Sequence, residues 1–162
     1  MKKIITLALV SVMALSASAT AFAADITQDS NPKTADTAVT FTVDPTYTVT
    51  IPATVELEKT GTETITYEKD LTITASAGVR LLQGESIMVT MNSDFELTAA
   101  NTNTTLPYTV KVGDQDITAT NNEVAKFTTS ASEQTSTLHF SASNPTYAGD
   151  YSDTVTFTIA VV

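Results

Sequence analysis

The sequence predicts an all-β fold: an antiparallel sandwich of two packed sheets, Ig-like or jelly-roll-like, with about eight to ten strands. Three observations predict it. Threonine occupies every second position of apolar segments, as in Val39-Thr40-Phe41-Thr42-Val43 and Val155-Thr156-Phe157-Thr158-Ile159. That period of two sends apolar side chains to one face of a sheet and hydroxyls to the other, and β-branched residues suit the pleat. Turn residues recur about every 8–12 positions, the rhythm of a sandwich or barrel. Nowhere do apolar residues repeat at spacings of three and four over a helical length.

The elements follow in order. Met1-Lys2-Lys3 is a basic start, Ile4 to Leu15 is apolar, and Ala21-Phe22-Ala23 offers the small residues that a signal peptidase reads. Residues 1–23 are therefore expected to be a cleaved signal peptide, with the cut between Ala23 and Ala24. Residues 24–36 are polar around Asn31-Pro32 and predict a flexible N-terminal extension. Residues 37–162 are expected to form one β-sandwich domain.

Val39, Phe41 and Val43 make the first inward set, and Asp44-Pro45 breaks it. Tyr47, Val49 and Ile51 follow, until Pro52 interrupts the ladder and predicts an edge or a kink. Ile65/Tyr67 and Leu71/Ile73 flank the charged group Glu68-Lys69-Asp70. Ile87/Val89/Met91, Phe95/Leu97 and Leu106/Tyr108/Val110/Val112 continue the alternation. Gly113-Asp114 turns into a short strand at Ile117, and Val124 to Phe127, Leu138/Phe140 and Val155/Phe157/Ile159/Val161 complete the set.

Composition excludes several partners and reactions. The 162 residues carry a formal charge of −10, and loss of Lys2 and Lys3 with the leader lowers it further. Lys33, Lys59, Lys69, Arg80, Lys111 and Lys126 are then the remaining cations, and they are scattered. Nucleic acid and anionic membrane surfaces, which both need concentrated positive charge, are poor partners. After the leader no segment approaches membrane length, so no membrane insertion is expected once it is removed. The absence of cysteine rules out disulfides and a lipid-bearing N-terminal cysteine, so a hydrophobic core must stabilise the domain.

Candidate chemistry is sparse. His139 is the only histidine and sits between Leu138 and Phe140, facing away from their side. A triad would need Ser and Asp to converge on it, and no Gly-x-Ser-x-Gly elbow is present. No catalytic residue and no cofactor are expected. Asp114 and Asp116 are weak calcium candidates, with too few oxygens for an EF-hand loop. Tyr147 and Tyr151 are glycan-stacking candidates. Tyr151, just before the last strand, also suits a structural role, with its ring inward and its hydroxyl on backbone. Leu106-Pro107-Tyr108-Thr109-Val110 imitates a sortase signal but lacks its glycine.

The two ends hold the strongest alternation. Val39, Phe41, Val43, Val155, Phe157, Ile159 and Val161 are strand-pairing candidates. The default expectation pairs both segments within one subunit. The alternative has a terminal strand complete a neighbour's sheet. Tyr47-Thr48-Val49-Thr50-Ile51-Pro52-Ala53 and the run from Tyr147 to Thr158 resemble small secreted bacterial surface proteins, including pilin-like and WxL-type cell-wall-associated sandwiches. The Trp-x-Leu motifs of WxL domains and the disulfides of pilins are absent. The resemblance implies an extracellular or cell-surface structural or adhesin-like protein, partnered by other surface proteins or by itself. A glycan-binding module is the alternative.

Overall fold

A computed structural model of the chain describes residues 26–31 and 33–162. The predicted leader and its cleavage point lie outside them. The chain divides into two units, Met1–Thr42 and Val43–Val162.

In the first unit the described residues form one turn and no strand. The Ser30 N–H donates to the Thr27 carbonyl at 3.2 Å, and the Thr27 N–H donates to the Ser30 hydroxyl at 3.0 Å. Val39 and Phe41 are 90% and 89% exposed, and Val43, at the start of the second unit, is exposed too. This corrects the expectation that these three residues form the first inward set of the sandwich. Alternation fixes which side chains share a face, but a strand also needs a partner ladder, and none is paired here.

The second unit holds eleven strands, every named pair antiparallel: β1 Val49–Thr50, β2 Glu58–Thr60, β3 Thr66–Ala75, β4 Ile87–Asn92, β5 Glu96–Ala99, β6 Thr105–Val112, β7 Gln115–Ile117, β8 Glu123–Phe127, β9 Gln134–Ser143, β10 Tyr151–Ser152 and β11 Thr156–Val161. No helix occurs among the described residues. The larger sheet runs β1-β3-β9-β6-β5-β10, with β2 also on β3 and β7 also on β6. The smaller runs β11-β4-β8. The predicted all-β sandwich of two antiparallel sheets is the observed fold.

Its centre is the pairing of β3 with β9 over ten positions, from Thr66↔Ser143 to Ala75↔Gln134. Leu71, Ile73 and Ala75 point inward with Leu138, Phe140 and Ala142, and Ile87, Val89 and Phe127 of the smaller sheet meet them. Each large apolar side chain buried in this way contributes about 1.5–3 kcal/mol. The outer face carries Asp70, His139, Lys111 and Asp116 in one row across β3, β9, β6 and β7. His139 Nδ1 lies 2.8 Å from Asp70 Oδ1, and Lys111 Nζ lies 3.2 Å from Asp116 Oδ1. These pairs are exposed, and pairs of that kind hold little free energy.

Proline and glycine punctuate as their chemistry requires. Of the expected Tyr47–Ile51 strand, Val49–Thr50 forms β1, the Thr48 carbonyl accepts from the Ser76 N–H at 2.9 Å, and Pro52 follows. Pro107 sits inside β6, where the β9 ladder stops at Tyr108↔Ala142, so its missing N–H costs no rung. Gly61 has φ +77, and a Cβ there would lie 2.0 Å from the Thr64 carbonyl oxygen. Only glycine fits that turn.

The register defines two ends of the sandwich. At the Arg80 end, Thr46 and Arg80 exchange two backbone hydrogen bonds of 2.8 Å, and Ser86 and Val162 exchange two of 2.9 Å. Gln134 bonds both backbone groups of Thr128 there. At the Tyr108 end lie Asn92, Ser143 and the start of β11. β11 therefore runs from the Tyr108 end to the Arg80 end.

Candidate functional site

β11 is the outermost strand of the smaller sheet, with β4 on one side and no strand on the other among the described residues. Its backbone phase follows from the Ser86–Val162 pair. Antiparallel ladders exchange bonds at alternate pairs. Hence Thr156, Thr158 and Ala160 aim N–H and C=O at β4, whereas Phe157, Ile159 and Val161 aim theirs at the open edge. The same odd-numbered residues turn their side chains inward. Val155, Phe157 and Ile159 pack against the core yet stay half-exposed, and Val161 is exposed. One row of residues thus presents unpaired backbone groups and incompletely covered apolar side chains.

At the Tyr108 end this edge opens into a cleft of about 650 Å³. Val55 and Leu57 form one wall, Leu97, Leu106 and Phe140 contribute to its floor, and Val155 brings β11 to it. Here the inner face of the larger sheet extends past the smaller one, so Tyr67 stays half-buried. The cleft arises because three strands cannot cover a sheet built on two ten-residue ones.

A polar tie closes the cleft's inner end. The Tyr108 hydroxyl donates to Asp153 Oδ2 at 2.7 Å, and the Ser93 hydroxyl donates to the same oxygen at 2.7 Å. Ser93 Oγ and Tyr108 Oη lie 2.6 Å apart, and the Phe95 N–H donates to Ser93 Oγ at 2.8 Å. Phe95 takes a left-handed backbone (φ 58), which that bond helps to hold. Burial raises the Tyr108 hydroxyl well above the ordinary tyrosine range. Burial also opposes the Asp153 charge, but the bonds from Ser93, Tyr108 and the Thr154 N–H outweigh it and hold the carboxyl below its usual value. The ring of Tyr108 lies between those of Phe95 and Phe140, with centroids at 5.9 Å and 6.0 Å. Three strand ends are fastened by this one cluster.

The predicted candidates divide. Phe157, Ile159 and Val161 lie together on β11, with Val155 just before its first residue. Tyr147 and Tyr151 both line the cleft, and the Tyr151 hydroxyl donates to the Tyr147 carbonyl at 3.0 Å. Asp116 faces Lys111, and no group of three or more metal-ligating side chains converges among the described residues.

Residues 23–160 match the family of CS1 type fimbrial major subunits. The chain belongs to that family. No curated protein matches it. Among solved structures it is similar to a chain of the CsuC–CsuE chaperone–tip adhesion subunit pre-assembly complex, from the archaic chaperone-usher Csu pili of Acinetobacter baumannii. Identity is 16%, with a TM-score of 0.47 over 73% of this chain, which spans 40% of that one.

The match makes this a pilin-like protein of the cell exterior, in a family whose role is structural rather than enzymatic. In this fimbrial chain Tyr151 makes the hydroxyl-to-backbone bond expected of it, but the sequence did not reveal the Tyr108–Ser93–Asp153 cluster. Tyr108 stands in plain alternation with Leu106 and Val110, and no local pattern marks a partner 45 residues away. The only available signal was an aspartate placed just ahead of the last strand.

Proposed function

We propose that this fimbrial subunit polymerises by strand donation, with Thr37–Val43 of one copy lying along the open edge of β11 in the next. The observation that carries the reading is the row Val155, Phe157 and Ile159, half-covered in side chain and unpaired in backbone. The donor has the matching period: Val39, Phe41 and Val43 would face the core, and Thr40 and Thr42 the solvent. Direction supports exchange between copies over self-insertion. The chain leaves the second unit at the Arg80 end, through Thr46. Turning back along its own β11, it would run parallel to that strand. Stacked end to end on a neighbour, it runs antiparallel, which is the slightly stronger ladder. Such a contact is head-to-tail and does not close on itself, so it propagates as a filament.

Glycan binding at Tyr147 and Tyr151 is the weaker reading, because one hydroxyl is already bonded to backbone and the rings line a rim rather than a flat platform. The test of assembly is to size the leaderless protein by light scattering and electron microscopy. Filaments are expected from residues 24–162, and monomers from residues 44–162. A leaderless protein of residues 24–162 that stays monomeric at high concentration, or filaments indifferent to the deletion, would overturn the reading.

A further inference from the structure

We propose that adjacent copies touch directly, domain against domain, with the Leu82–Arg80 surface of one seated on the Tyr147–Asp150 loop of the next. The inference rests on the strand-donation reading and goes beyond it, because donation alone would tolerate a loose string of domains.

Chain length forces the contact. Val43 is the last alternating residue of the donor, and Thr46 is already fixed to Arg80 in its own domain. Only Asp44 and Pro45 lie between them. Three residue steps span at most about 11 Å even when fully extended. Pro45 also fixes one backbone angle and removes slack. A donor seated to Val43 at the Tyr108 end of its acceptor therefore brings its own Arg80 end within side-chain reach of that surface.

The two surfaces are chemically suited to meet. Leu82, two residues beyond Arg80, is 59% exposed, and Tyr147 on the rim of the cleft is 62% exposed. Isolated large apolar groups at both poles of one domain become mutually covered when the domains stack. Arg80 is exposed and makes no ion pair among the described residues, and Asp150 is exposed in the opposing loop. A cation at one end and an anion at the other favour head-to-tail stacking and oppose head-to-head pairing.

The absence of cysteine makes the test clean. A Leu82→Cys, Tyr147→Cys double variant, assembled and treated with a short bis-maleimide, should give a covalent ladder on denaturing gels. Either single variant should give none, since equivalent positions lie a whole domain apart. Arg80→Cys with Asp150→Cys provides a second pair should the first disturb assembly. Inserting Gly-Ser-Gly-Ser after Val43 should abolish the ladder while filaments persist. Filaments that form normally with no ladder from either pair would overturn the joint and leave strand donation standing. Absence of filaments from the unmodified protein would remove both.

Discussion

The Tyr108 hydroxyl bonds both Ser93 and Asp153, and its ring packs between Phe95 and Phe140. Tyr108→Phe keeps the ring and removes the tie. A net hydrogen bond is worth about 0.5–1.5 kcal/mol, and those to charged groups about 1.5–3. The variant is expected to lose stability on that scale in denaturant titration, without loss of the fold. Asp153 adds a pH dependence. Its folded-state carboxyl is held low, so its contribution is complete above the ordinary aspartate range of about 4 and fades as pH falls through the lower folded value. Thermal melts of the native protein should weaken on acidification below that range, and Asp153→Asn should flatten part of the slope. An unchanged slope would show that the carboxylate does not hold the strand ends together. This cluster was the least legible part of the chain. Its members are separated widely in sequence, and only the strand order brings them together.

Among the strands, legibility followed burial. β3, β9, β6 and β4 were readable because one face of each is sealed and the other is wet, which writes the alternation of Leu71/Ile73/Ala75 and Ile87/Val89/Met91 plainly. The segment Val39–Val43 has the same pattern, yet it stands unpaired among the described residues. Pattern reports which face a strand would bury and says nothing of whose sheet receives it. On β11 the open backbone groups belong to the odd-numbered residues. Opposite residues of neighbouring strands share a face, so Val39, Phe41 and Val43 would pair with them. A synthetic peptide of residues 37–43, N-methylated at Val39 and Phe41, should fail to bind the arm-deleted protein. N-methylation at Thr40 and Thr42 should be tolerated. Equal loss from both patterns would refute this register.

For the whole molecule, the fold class was legible from the period of two that recurs along the chain, and the exterior placement from the expected leader and the resemblance to bacterial surface proteins. The joint proposed between copies was not, because it depends on two residues between Val43 and Thr46 and on which end of the sandwich they leave. The scattered cations have a last consequence, in the chemistry of digestion. Lys59, Lys69, Lys111 and Lys126 lie in paired strands, and Arg80 is bonded to Thr46. Lys33 lies exposed in a segment without strand pairing. Proteases cut where backbone can leave its hydrogen bonds. Brief trypsin treatment of the leaderless protein should therefore yield one resistant core beginning at Thr34, read by intact mass. That product keeps residues 37–43 whole, so a subunit trimmed in a protease-rich exterior would still have the strand proposed for donation.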